Sequence, residues 1–155
     1  MNLEIRSANP DEPGVRPLIE ALDAYQLSLY PAESNHLDSL DELDKSNVLF
    51  LCACDGDTVV GCAAAKVVED AERYGEIKRM YVAPAYRGQG LSRRLLRELE
   101  GCLLDRDVQI ARLETGIRQP EALTLYERTG YRKRTPFGNY TDDPWSVFME
   151  KRLAE

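Results

Sequence analysis

Three features of the sequence predict a mixed α/β fold in a single unit. Short apolar runs with strand character are interspersed with segments whose apolar residues recur every three or four positions. Asp55-Gly56 separates two such apolar runs, the strongest short-range hairpin signal. The chain has 155 residues, a length that buries roughly 70% of the unfolded surface without staples. No linker rich in Gly, Ser or Pro and no repeat of fixed period divides it, so residues 1–155 are expected to form one domain.

The elements follow in order. Leu3 to Arg6 alternates weakly and is read as a first strand. A turn-rich stretch from Asn9 to Gly14 precedes Val15, Leu18, Leu22, Tyr25 and Leu29, which recur at helical spacing up to Pro31. Residues 32 to 47 carry many carboxylates among a few leucines and are expected to hold a short second helix. Val48 to Cys54 is apolar on both faces, and Thr58 to Val68 resumes after Asp55-Gly56. Glu76 to Val82 is a further strand, stopped at Ala83-Pro84. Leu91, Leu95, Leu96, Leu99, Cys102 and Leu103 then form one helical stripe. Gln109 to Thr115 is a strand, and Glu121 to Thr129 is a helix introduced by Pro120 and closed by Gly130. Tyr131 to Lys133 and Val147 to Glu150 complete the chain as strands.

Composition excludes several classes of function. The chain is 43% hydrophobic and 30% charged with 10 Gly and 8 Pro, ordinary globular usage that rules out disordered and collagenous readings. Its formal charge of -7 lacks the basic footprint of sequence-independent nucleic-acid binding, so no nucleic-acid partner is expected. No apolar stretch approaches the ~20 residues of a membrane span, and the start has no signal-peptide core. No membrane partner and a cytoplasmic location are expected. Cys52, Cys54 and Cys62 lie in strand-like runs and Cys102 on a helical stripe. With one His and no Cys-x-x-Cys spacing, buried free thiols are expected and no metal site. Cys52 and Cys54 should face the same way.

Between Val82 and Leu91 lies a loop with chemical consequence. Gly88 and Gly90 precede a helix N-terminus, where the backbone can approach a ligand closely while several amides stay unpaired by the helix. With the helix dipole added, such an end cradles a pyrophosphate. Arg87, Arg93, Arg94 and Arg97 make this corner basic. A tight strand-to-helix turn is the plainer reading of two glycines. The Gly-Lys of a Walker loop is absent, and Arg93 stands where a dinucleotide fingerprint needs a third glycine.

Arg87-Gly88-Gln89-Gly90-Leu91-Ser92 resembles the acetyl-CoA loop of the Gcn5-related N-acetyltransferases, which reads Arg or Gln, two variable residues, Gly, one variable residue, then Gly or Ala. Ser92 takes the place of the last small residue. Glu76 to Pro84 is similar to that family's fourth strand, and Ala122 to Tyr131 to its helix-then-strand motif ending in Gly-Tyr. The resemblance spans most of the chain. It implies a central, mostly antiparallel, splayed mixed sheet of about seven strands flanked by four helices, and acetyl-CoA as cosubstrate.

The chemistry such a resemblance implies can be assigned residue by residue. A thiolate leaving group needs a proton, and Tyr126 occupies the position of the family's general acid; the alternative is a packed core tyrosine. An ammonium acceptor must lose a proton, and Glu76 stands where some members place a base; the alternative is a carboxylate salt-bridged to Lys78 or Arg73. A bulge near Met80 or Tyr81 would free a backbone donor for the oxyanion. Met80, Tyr81 and Val82 would pair with the pantetheine arm, and Arg87, Gly88, Gln89, Gly90, Leu91, Ser92 and Gln119 would hold the rest of the cofactor. Around the acceptor the resemblance places Tyr30, Glu33, His36, Phe137 and Tyr140, with Asp142 and Asp143 as further attractors of an ammonium. Transfer of acetyl to a small-molecule primary amine by direct attack in a ternary complex is the expected reaction. Acetylation of a protein or peptide, and a non-catalytic acyl-CoA sensor, remain open alternatives. A homodimer is compatible with the family.

Overall fold

The structure, a computed structural model, describes residues 3–30 and 46–153. Its strands are β1 (Leu3–Ser7), β2 (Val48–Asp55), β3 (Thr58–Val68), β4 (Tyr74–Val82), β5 (Ile110–Gly116), β6 (Arg132–Arg134) and β7 (Ser146–Arg152). The helices are α1 (Arg16–Leu29), α2 (Leu91–Asp105) and α3 (Pro120–Arg128), with a 3-10 turn at Pro84–Tyr86 before α2. Three α-helices thus lie among the described residues, against the four expected. Of residues 32–47, where the second helix is expected, 32–45 lie outside the described residues and Ser46 and Asn47 form a turn.

All seven strands form one mixed sheet in the order β1-β2-β3-β4-β5-β7-β6. Every neighbouring pair is antiparallel except β4 with β5, which is parallel. The hairpin between β2 and β3 turns at Asp55 to Thr58, where Gly56 has φ +59°, a left-handed conformation that glycine adopts without cost.

Alternation along the central strands sorts side chains between two layers. Ala63, Ala65, Val67, Ile77, Ala111, Leu113 and Met149 face α2 and α3, where Leu91, Leu95, Leu96, Leu99 and Leu103 are each at most 2% exposed. A β-carbon at Gly75 would stand 2.6 Å from Leu103 Cδ2, so only glycine lets α2 lie this close. Phe50, Cys52, Cys54, Cys62 and Ala64 face the other way, against Val15, Leu18 and Ile19 at the start of α1. Cys52 and Cys54 share that face, their sulfurs 3.7 Å apart, and burial pushes the Cys52 and Cys62 thiols up to about 12. On the same face, Tyr74, Ile110, Phe137 and Phe148 form a third cluster under the connection between β6 and β7.

Candidate active site

The parallel pair holds only at its beginning. Gly75, Glu76 and Ile77 pair with Ala111, Arg112 and Leu113, and beyond Ile77 the rest of β4 has no partner on β5, so the sheet splays. Against β3 the register slips: Cys62 faces Tyr81 but Ala64 faces Lys78, leaving one extra residue in β4. That β-bulge contains Arg79, whose φ is +56°. The bulge expected near Met80 is therefore present, and it turns Arg79 onto the α1 face. There its guanidinium forms an ion pair with Asp23 of α1. Burial alone pushes Arg79 down to about 10.

A cavity of about 800 Å3 opens at the splay, bounded by α1, β4, the loop before α2, the end of β5 and α3. On the α2 side the loop is set by local backbone geometry. Gly88 and Gly90 both have φ +78°, and a β-carbon at either would meet nothing within 4 Å. Glycine is required there by the backbone angle, which costs other residues about 1–2 kcal/mol. Gly90 is the N-cap of α2, and the Arg94 amide bonds back to its carbonyl at 3.1 Å. The amides of Leu91, Ser92 and Arg93 precede the first intrahelical bond and have no helical acceptor. Arg87 Nε donates to the Val82 carbonyl at 2.9 Å, and its guanidinium lies 5.3 Å from the Tyr81 ring centre. Met80, Tyr81, Val82, Arg87, Gly88, Gly90, Leu91 and Ser92 all border the cavity. Gln89 is exposed and does not.

Tyr126 stands on the same wall, 6% exposed. Its ring meets Tyr131 edge-on, with centroids 5.6 Å apart. Burial pushes its hydroxyl well above the ordinary tyrosine range, so the proton stays on oxygen at neutral pH. Tyr131 is fixed in turn by donating to Glu100 at 2.7 Å. Tyr126 is thus both a packed tyrosine and a cavity wall.

The facing wall is assembled from distant parts of the chain. Glu76 is 7% exposed. The Tyr140 hydroxyl donates to its Oε2 at 2.5 Å, and Lys78 Nζ lies 3.5 Å from the same oxygen. Tyr30 wedges over the end of β5: a β-carbon at Gly116 would fall 1.8 Å from its hydroxyl oxygen. That hydroxyl accepts from the Arg118 amide at 3.1 Å and donates to Gln119 Oε1 at 3.2 Å. Trp145 meets Tyr30 edge-on and carries the Arg118 guanidinium 4.5 Å from its ring centre. Glu76, Gln119, Tyr30 and Tyr140 border the cavity.

Several expected site residues lie elsewhere. Phe137, expected to stack over the acceptor, is 5% exposed and locked in the core against Tyr74, Tyr140 and Phe148; an aromatic residue in a connecting segment is drawn inward by the area it buries. Asp142 and Asp143 border neither of the two main cavities, and Asp143 caps its own turn by accepting from the Trp145 amide at 2.8 Å. Glu33 and His36 lie outside the described residues. The expected site residues do not include Arg79, Trp145 or the α1 residues Leu22, Tyr25 and Gln26, all of which border the cavity. For Arg79 the sequence carries no signal, since a bulge is invisible until the strands are paired. Among the described residues, no cluster of three or more His, Cys, Asp or Glu could hold a metal ion, and no helix is long and apolar enough to cross a membrane.

A mixed sheet parted at its parallel pair, with a glycine-bent helix start and a buried tyrosine beside the gap, is the architecture implied by the N-acetyltransferase motifs. The model of the acetyltransferase (GNAT) family matches residues 16–131. An IAA acetyltransferase from Azospirillum brasilense is 44% identical over 152 residues, covering 98% of this chain and 99% of that protein. A crystal structure from Klebsiella pneumoniae, provisionally assigned as an acyl-CoA N-acyltransferase, superposes with a TM-score of 0.82 at 38% identity, covering 98% of both chains. The fold also matches the PaiA N-acetyltransferase of Thermoplasma acidophilum solved with coenzyme A, at a TM-score of 0.72 and 19% identity, over 98% of this chain and 99% of that one. The chain belongs to the GNAT family and is an acetyltransferase.

Proposed function

We propose that the protein, as one N-acetyltransferase domain over residues 1–155, transfers acetyl from acetyl-CoA to a primary amine of a small molecule by direct attack in a ternary complex. The observation that carries this reading is the gap between β4 and β5. It opens one cavity bordered by the amide-rich loop and Tyr126 on one side and by Glu76 on the other. The residues fit the cofactor. The φ +78° glycines hold the start of α2 open to a diphosphate, and β4 beyond Ile77 offers an unpaired edge to which an extended pantetheine arm can add like a strand. Bound there, acetyl-CoA supplies the thioester.

The protein's own groups divide the remaining work. Glu76, or a water held by it, accepts the ammonium proton. Main-chain groups at the bulge polarise the carbonyl. Tyr126, kept protonated by burial, donates to the departing thiolate. A small acceptor fits a cavity of about 800 Å3. A cytoplasmic location and a possible homodimer belong to the same reading.

The test is release of coenzyme A thiol against a panel of amino acids, polyamines, aminoglycosides and peptides. Turnover with small amines supports the proposal. Turnover confined to peptides would replace it with protein acetylation, and tight acetyl-CoA binding without any turnover would leave a sensor.

A further inference from the structure

A second cavity, of about 730 Å3, adjoins the first. Its walls carry Lys66, Arg73, Lys78 and Arg106 against Glu69 and Glu76, a local excess of cations in a chain of net charge -7. Strand β3 makes the asymmetry plain. From Gly61 to Val68 every residue is apolar except Lys66, and Lys66 is the cross-strand partner of Glu76. Such partners hold their β-carbons about 4.5–5.5 Å apart on one face.

Both carboxylates on these walls are engaged. Glu69 Oε1 lies 2.7 Å from Arg73 Nε, and Glu76 accepts from Tyr140 and pairs with Lys78. Lys66 makes no ion pair among the described residues. Nor does Arg106, which donates to the Ser46 carbonyl at 3.3 Å. Lys66 is half-buried and Arg106 exposed, and two cations lining one concave surface focus positive potential on whatever anion enters it. The two cavities share Glu76, Lys78 and Tyr140, so a molecule seated in the second presents one end at Glu76.

We infer that the acceptor carries its amine and a carboxylate on one skeleton, the carboxylate held by Lys66 and Arg106 and the amine presented at Glu76. This rests on the proposed transfer site between β4 and β5 and names the class of acceptor it takes. The resemblance places Asp142 and Asp143 as attractors of an ammonium; the walls of this cavity favour an amine with an anionic tail.

The test uses matched acceptor pairs, amino acids and their carboxamides, with kcat/KM measured for the wild type, Lys66→Met, Arg106→Met and Lys66→Arg. The expected result is a tenfold or greater preference for the carboxylate. That preference should collapse toward unity in the two methionine variants and persist in Lys66→Arg, with acetyl-CoA affinity confirming that each variant folds. A wild-type ratio near unity, or a ratio unchanged in both methionine variants, overturns the inference and leaves acetyl transfer standing. If acetyl-CoA binds but no acceptor is consumed, the transfer reading itself fails. NMR titration of the same amino acids then decides the site: saturable binding lost in both methionine variants sustains it, and no binding to the wild type ends it.

Discussion

The loop before α2 and the surface around Glu76 border the same cavity, yet they are built differently. The loop is local. Its shape follows from two glycines at φ +78°, a proline-initiated 3-10 turn and the first amides of one helix, all within residues 84–93. The Glu76 side is collected from afar: Tyr140 reaches Glu76 across 64 positions, and Tyr30 reaches Gln119 across 89. Local backbone geometry tolerates little substitution but can be read from a short motif. Long-range assembly can be retuned one side chain at a time, which suits the part of an enzyme that chooses its acceptor.

The largest effect that would sharpen this contrast is on chemistry. Tyr126→Phe should lower kcat by about 10²–10⁴-fold while acetyl-CoA affinity, measured by calorimetry, holds. Because burial keeps the hydroxyl protonated, the wild-type kcat profile should show no loss from Tyr126 titration up to about pH 10. Next comes Glu76→Gln, expected to slow transfer about 100-fold at pH 7. The deficit should shrink as pH approaches the amine's own pKa, where solvent delivers free amine without a base; a deficit that stays constant with pH would remove Glu76 from proton transfer.

Two smaller effects address the framework. Gly116→Ala places a β-carbon 1.8 Å from the Tyr30 hydroxyl oxygen and should cost about 1–3 kcal/mol, lowering Tm by several degrees in a thermal melt. An unchanged melt would mean that Tyr30 moves aside freely. Smallest is Glu150. Burial pushes its carboxyl up, but hydrogen bonds from Arg112 and Arg134 reverse this and leave it below the usual range. The stability it contributes is present above the unfolded value of about 4.3 and is lost as pH falls through the folded one. Glu150→Gln should therefore flatten the dependence of Tm on pH below about 5 and leave the cavity chemistry alone.

How much of this was legible in the sequence follows the same division. The meander, the stripe of leucines on α2, the helix closed by Gly130 and the glycine turn are each encoded within a few consecutive residues. The structure keeps them with shifts of one or two positions at their ends. The bulge could be expected from the family motif alone, since pairing decides it. Phe137 shows the limit: an aromatic residue in a polar connection reads as a ligand platform until its burial against Tyr74 and Phe148 is seen. Lys66 shows a missed signal, the lone charged residue of β3. Such a residue must meet a partner or an opening, and here it borders an opening.

The claim beneath the whole account is that the start of α2 grips the diphosphate of acetyl-CoA. Titration calorimetry with acetyl-CoA and with acetyl-pantetheine, which lacks the diphosphate, tests it in the wild type and in Gly90→Val. Forcing a β-branched residue to φ +78° should weaken acetyl-CoA binding by at least tenfold and leave the weaker acetyl-pantetheine affinity nearly unchanged. Equal affinities of the two proteins for acetyl-CoA, with both folded by circular dichroism, would contradict it.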